Sequence, residues 1–134
     1  MDAERAFARE ARARRRASVV RRLRREPADC SRLAVYDERG GAPAVLRRVR
    51  EIPLTEIAGT VEPSRAQLFD GDFRPAGAAR SRWQRLWMAE HRGAVLPPIS
   101  VVRIGDAYAV RDGHHRVSVA RARGALTIDA AVEA

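Results

Sequence analysis

The sequence predicts an α+β domain, a small mixed β-sheet with packed helices, and three stretches carry that prediction. Ile99 to Arg111 alternates apolar and polar side chains on either side of Gly105-Asp106, a tight-turn signal that makes an antiparallel hairpin. Residues 78–92 place Ala79, Trp83, Leu86 and Trp87 on one face of a helix, with Gly93 positioned to cap its end. Gly113 to Gly124 reads as a shorter helix, followed by a closing strand alternating at Leu126, Ile128, Ala130 and Val132. A sheet containing an antiparallel hairpin is not doubly wound.

Taken in order, residues 2–25 are Ala- and Arg-rich without Gly or Pro, which favours helix, and Pro27 stops it. Its apolar stripe is thin: Phe7, then Val19, Val20 and Leu23. Residues 1–27 therefore read as an Arg-rich helical arm. Residues 28–49 form a short hairpin or connector, in which the runs 33–36 and 44–46 flank Gly40-Gly41. Residues 50–134 form the main domain. Arg50 to Ile57 is an edge strand leading into a turn, since Pro53 cannot donate to a ladder and so confines it to an edge or strand start. Residues 58–77 carry three Gly and two Pro residues and read as loop with at most one helical turn. The two tryptophans are core rather than a stacking platform, because they share helical spacing. His91 is a surface residue favoured by the helix dipole.

The chain of 134 residues is 46% hydrophobic and 32% charged, a soluble globular composition without an apolar run long enough to span a membrane. No secretory signal begins it. The single cysteine, Cys30, excludes an internal disulfide and a Cys-based zinc cluster and points to a reducing, cytoplasmic setting. The net charge is +9 and every basic residue is Arg; their spread along the chain fits codon bias better than selection for phosphate forks. Residues 1–26 hold 10 Arg against 4 acids, so the basicity is concentrated in the arm. Arg12, Arg14, Arg15, Arg16, Arg21 and Arg22 are its candidate nucleic-acid contacts. The first reading of the arm is a solvated helix packed on the domain by one face; contact with nucleic acid or an anionic surface comes second, and a transit peptide, against which Asp2 and Glu4 count, third.

The chemistry concentrates at Asp112-Gly113-His114-His115-Arg116, where a strand turns into a helix. Free N–H groups and the positive dipole end attract an anion there, and Gly lets it approach the backbone. Arg116 offers a planar fork for phosphate, or pairs with Asp112. His114 and His115 offer donors that titrate near neutral pH, and are candidate acid/base groups. Asp112 either orients His115 or holds magnesium. Adjacent histidines on a helix lie about a hundred degrees apart, a poor arrangement for one metal ion. No zinc, haem or flavin is expected. Ser118 either touches the phosphate or bonds back to its own helix, and Arg103, Arg111, Arg121 and Arg123 read as solvated.

From about Arg50 onward the chain resembles the ParB/sulfiredoxin-like domain family. REIPLTEI, a helix, LPPISVVRIGDAYAV, DGHHRVSVARARGAL and TIDAAVEA follow the family's order of elements. The resemblance implies that Gly113 and Arg116 belong to a Gly-x-x-Arg phosphate-binding turn. Such a turn holds CTP with magnesium in partitioning ParB proteins, works with ATP in sulfiredoxins, and handles nucleotide phosphates in ParB-like serine kinases. Sulfiredoxins carry their catalytic Cys where this chain has His114, which argues against sulfinic-acid repair. ParB proteins carry Glu and Arg in place of the two histidines and add a helix-turn-helix module, for which no room follows here. A serine kinase needs a Glu base near the early strand, and Glu62 lies in that region. The expected function is binding of a nucleotide or other phosphorylated ligand at Asp112 to Arg116, with phosphoryl transfer or phosphoester hydrolysis as the reaction class. The alternatives are a non-enzymatic DNA-binding module using the arm, and an interaction domain without a ligand.

Overall fold

The computed structural model describes residues 2–26, 31–37 and 48–133. Among them the helices are α1 (Ala3–Leu23), α2 (Arg80–His91) and α3 (His114–Ala122). The strands are β1 (Ala34–Val35), β2 (Arg48–Pro53), β3 (Ile57–Thr60), β4 (Ile99–Ile104), β5 (Ala107–Asp112) and β6 (Thr127–Glu133). They form one sheet in the order β1-β3-β5-β4-β6-β2. The β4–β5 and β2–β6 pairs are antiparallel, and β1–β3, β3–β5 and β4–β6 are parallel. The fold is the mixed α+β sheet that the sequence patterns anticipate.

The hairpin forms where expected. Gly105 takes φ 59°, and Val101 lies opposite Val110, so both project into the same buried layer. From β5 the chain crosses through α3 and returns as β6, parallel to β4, with Val117 and Ala120 of α3 in the core beneath Ile99, Val101 and Ala130. Both α2 and α3 end on a glycine in the left-handed region, Gly93 and Gly124. In each case the following N–H reaches back a full turn, Ala94 to the Ala89 carbonyl and Ala125 to the Ala120 carbonyl. Strand β2 is outermost with Pro53 as its last residue, where the missing donor costs nothing.

Several expectations need correction. The turn expected after the edge strand is a 3-10 segment over Leu54–Glu56, but Ile57 lies beyond it and opens β3 inside the sheet. Gly59, read as a loop breaker, is there for space, because a Cβ on it would lie 2.1 Å from the Ala34 carbonyl oxygen of β1. The rest of the stretch expected to be loop holds two 3-10 segments, Pro63–Leu68 and Gly77–Ala79. The run 33–36 supplies β1, parallel to β3, while Gly40-Gly41, the run 44–46, Cys30 and Pro27 lie outside the described residues.

Helix α1 is fixed by its first turns rather than by the whole stripe. Asp2 caps it, accepting from the Arg5 N–H at 2.8 Å. Ala3, Ala6 and Phe7 are buried, and Phe7 meets Trp83 edge to face at 5.6 Å. Arg9 donates to the Ala122 carbonyl at 2.8 Å, tying α1 to the end of α3. Val19, Val20 and Leu23 are exposed instead. The helix closes through Arg25 at φ 54°, with the Glu26 N–H on the Arg21 carbonyl.

Trp83 and Trp87 are core residues, stacked at 5.4 Å. The Trp83 indole N–H donates to Ser118 Oγ at 2.8 Å, so Ser118 faces the α2–α3 interface rather than a phosphate. Two of the arginines read as solvated are paired: Arg111 holds Glu133 through two contacts at 2.8 and 2.9 Å, and Arg123 reaches Glu90 at 3.3 Å while covering Trp87.

Candidate functional site

The turn between β5 and α3 is built by one glycine. Gly113 has φ 107°, a conformation L side chains rarely adopt, and a Cβ there would lie 2.4 Å from Ile99 Cγ2. The glycine therefore does two things at once: it reverses the chain and lets the N-terminus of α3 sit directly on β4. No side chain caps this helix, so its first N–H groups are left for another partner.

Asp112, Gly113, His114, His115 and Arg116 all line one hollow of about 50 Å³, together with Arg65, Arg82 and Leu86. The stretch picked out in the sequence is thus gathered in space. Arg65 comes from the 3-10 segment Pro63–Leu68 and Arg82 from the first turn of α2. Neither was identified from the sequence, and neither has an acidic partner among the described residues. Asp112 stands exposed at the rim, 3.2 Å from Arg116 Nη2. The other terminal nitrogen of Arg116 donates to the carbonyls of Pro97 and Pro98 at 2.6 and 3.0 Å, so the guanidinium also pins the segment leading into β4.

The histidines form the inner wall. His114 and His115 are buried, at 3% and 7% exposure. Both rest on Phe69, His114 stacked on it and His115 edge-on at 5.1 Å. Phe69 is held by an adjoining tight loop around the fully buried Asp70. That carboxylate accepts from the N–H groups of Asp72 and Arg74 at 2.9 Å each and from the Arg74 guanidinium at 3.3 Å. His114 Nε2 lies 2.6 Å from Thr60 Oγ1 on β3, which fixes that ring. The His115 ring has no hydrogen-bond partner among the described residues and lines the hollow.

Electrostatics correct the expectation that these rings titrate near neutral pH. Burial pushes His114 down to about 4, with Arg65 and His115 adding to the effect and Asp112 opposing it. Burial likewise takes His115 to about 4, reinforced by Arg82 and Arg65. Both imidazoles are neutral at pH 7, so the positive field of the hollow comes from arginine and the helix N-terminus.

Other candidate residues lie elsewhere. Arg12, Arg14, Arg15, Arg16, Arg21 and Arg22 are all on α1, and none lines the hollow. Glu62 is 3.8 Å from Arg111 and is not among the lining residues. Among the described residues no three His, Cys, Asp or Glu side chains come together as a metal-binding group, and no helix is long and apolar enough to cross a membrane.

No family model matches the chain, and no curated protein does. Among solved structures it is similar to sulfiredoxin from Arabidopsis thaliana, at 20% identity, over 63% of this chain and 83% of that one, with a TM-score of 0.43.

Proposed function

We propose that the hollow at the start of α3 binds the phosphate of a nucleotide or of another phosphorylated small ligand. The observation that carries this reading is the meeting of two acid-free guanidinium groups, Arg65 and Arg82, with an uncapped helix N-terminus and the unpartnered His115 ring. Each of these favours an anion, and together they leave the hollow with uncompensated positive potential. Arg116 adds a third guanidinium, exchanging a backbone carbonyl or Asp112 for phosphate oxygen. Asp112, an exposed carboxylate at the rim, suits a phosphate-bound magnesium ion, which takes only one or two carboxylates from a protein. Bound there, magnesium would supply charge neutralisation. If turnover accompanies binding, its class is phosphoryl transfer or phosphoester hydrolysis. His115 is then the better acid/base candidate, since the His114 ring is engaged by Thr60. Isothermal titration with magnesium and ATP, ADP or CTP tests the reading. The expected result is binding of at least one of them, weakened about tenfold or more by Arg116→Ala, a loss of about 1.4 kcal/mol. No heat with any nucleotide, and an unchanged result for Arg116→Ala, overturns the nucleotide version.

A second reading has its own support. Arg12, Arg14, Arg15, Arg16, Arg21 and Arg22 make no ion pair among the described residues, leaving one stretch of α1 strongly positive. Such a surface suits the phosphate backbone of DNA, with little sequence preference. Deleting the arm is a poor test, because Ala3, Ala6 and Phe7 belong to the core. Replacing Arg12, Arg15, Arg16 and Arg22 by Gln leaves that core intact. Fluorescence anisotropy with a short duplex should then show weaker binding and a shallower salt dependence, by about 0.9 in log–log slope for each DNA phosphate that is no longer neutralised. An unchanged slope removes the arm from consideration.

A further inference from the structure

The hollow is small. At about 50 Å³ it has room for roughly three to five waters at 10–15 Å³ each, the scale of one phosphoryl group and far below that of a nucleoside. Its walls come from four elements, with Arg65 on the 3-10 segment, Arg82 and Leu86 on α2, Asp112 at the end of β5, and His114 to Arg116 on α3 behind its Gly113 cap. Phe69 lies behind both histidines.

Resting on the reading above, we infer that this hollow receives a single terminal phosphoryl group, that of a phosphomonoester, and that Arg65, Arg82 and His115 select it over a phosphodiester. A terminal phosphoryl carries three non-bridging oxygens and close to two negative charges at neutral pH. Arg65 and Arg82 line the same hollow as the N-terminus of α3, so donors from separate elements are available to one tetrahedral group. His115 faces Arg65 and Arg82 from neighbouring elements and is neutral at pH 7, so its ring offers one N–H donor and adds no charge. A phosphodiester must carry chain away on two sides, which walls on four elements around so small a space do not allow. It also presents only one negative charge to three arginines. Whatever carries the phosphate stays outside the hollow and contributes little to affinity.

Isothermal titration of the full chain with inorganic phosphate, AMP, 3′,5′-cyclic AMP and magnesium-ATP tests this. The expected result is that phosphate and AMP bind within about tenfold of each other and each displaces magnesium-ATP. Cyclic AMP, the same nucleoside with a diester, should bind at least tenfold more weakly than AMP. Arg82→Gln and Arg65→Gln, at exposed positions where folding is checked by thermal melting, should each weaken phosphate at least fivefold. Magnesium-ATP binding that phosphate fails to displace, cyclic AMP binding equal to AMP, or both variants binding phosphate like the unmodified chain overturns the inference and leaves nucleotide binding standing. No binding by any of the four overturns both.

Discussion

Gly113→Ala is expected to lower the unfolding free energy by about 2–6 kcal/mol and, on the proposed function, to remove phosphate binding in the same step. Two costs add. A side chain forced to φ 107° is strained by roughly 1–3 kcal/mol. Its Cβ also collides with the branched side chain of Ile99, at 2.4 and 2.8 Å, within a packed layer where overpacking costs about 1–3 kcal/mol. Relief requires α3 to lift from β4, which moves the first N–H groups of the helix and the Arg116 guanidinium, itself 3.2 Å from the new atom. Gly124→Ala is the control. That glycine also has positive φ, at 79°, but nothing lies within 4 Å of a Cβ there, so only the conformational cost applies. Urea denaturation of both variants checks the prediction, and equal losses would mean that the contact with Ile99 carries no weight.

Acidification from neutral pH to about 4 destabilises the chain through the same site. His114 and His115 bind protons near 6.5 when unfolded and only near 4 when folded. Between those values the unfolded state holds more protons, so stability rises with pH through that window and is lost as pH falls from about 6.5 towards 4. A shift of that size corresponds to about 3 kcal/mol for one histidine at full expression. The two rings repel each other when both are charged, so their contributions are not independent. Denaturation midpoints at pH 7 and pH 4.5 should differ clearly. His115→Gln should flatten that difference, which separates the histidines from the carboxylates that also titrate in acid. A variant with an unchanged pH profile would mean that the His115 ring is open to water.

Periodicity made the frame legible. The hairpin, α2, α3 and β6 each repeat apolar residues at the spacing of the element they form, and each is bounded by a glycine or proline acting as expected. Strand β3 was hidden because Gly59 reads as a breaker unless the backbone of β1 is known to pass against it. Of the α1 stripe Phe7, Val19, Val20 and Leu23, only Phe7 is buried. The anchoring is done by two alanines and Phe7, which a thin stripe scarcely announces.

The site was half legible for a similar reason. Asp112 to Arg116 is contiguous, so its residue types could be read together. Arg65 and Arg82 are distant in sequence, in a chain with 26 arginines, and nothing in residue type separates them from the rest. Only the packing of α2 on α3 and the turn after β3 brings them to the same place. The loss of near-neutral titration was equally out of reach, because it depends chiefly on burial against Phe69 and on Arg65 and Arg82, which are distant in sequence.

The outermost position of β2 bears on how the molecule behaves in concentrated solution. A free sheet margin is a template on which another chain can lay down a matching strand, the first event of many aggregation processes. Here Arg48, Arg50 and Glu51 are exposed along that margin, and Pro53 ends it without a donor. An incoming copy would bring its own arginines against these in any in-register stack and would find no N–H at the last rung. The proline and charges that mark β2 as marginal in the sequence are thus also a barrier to sheet propagation between molecules.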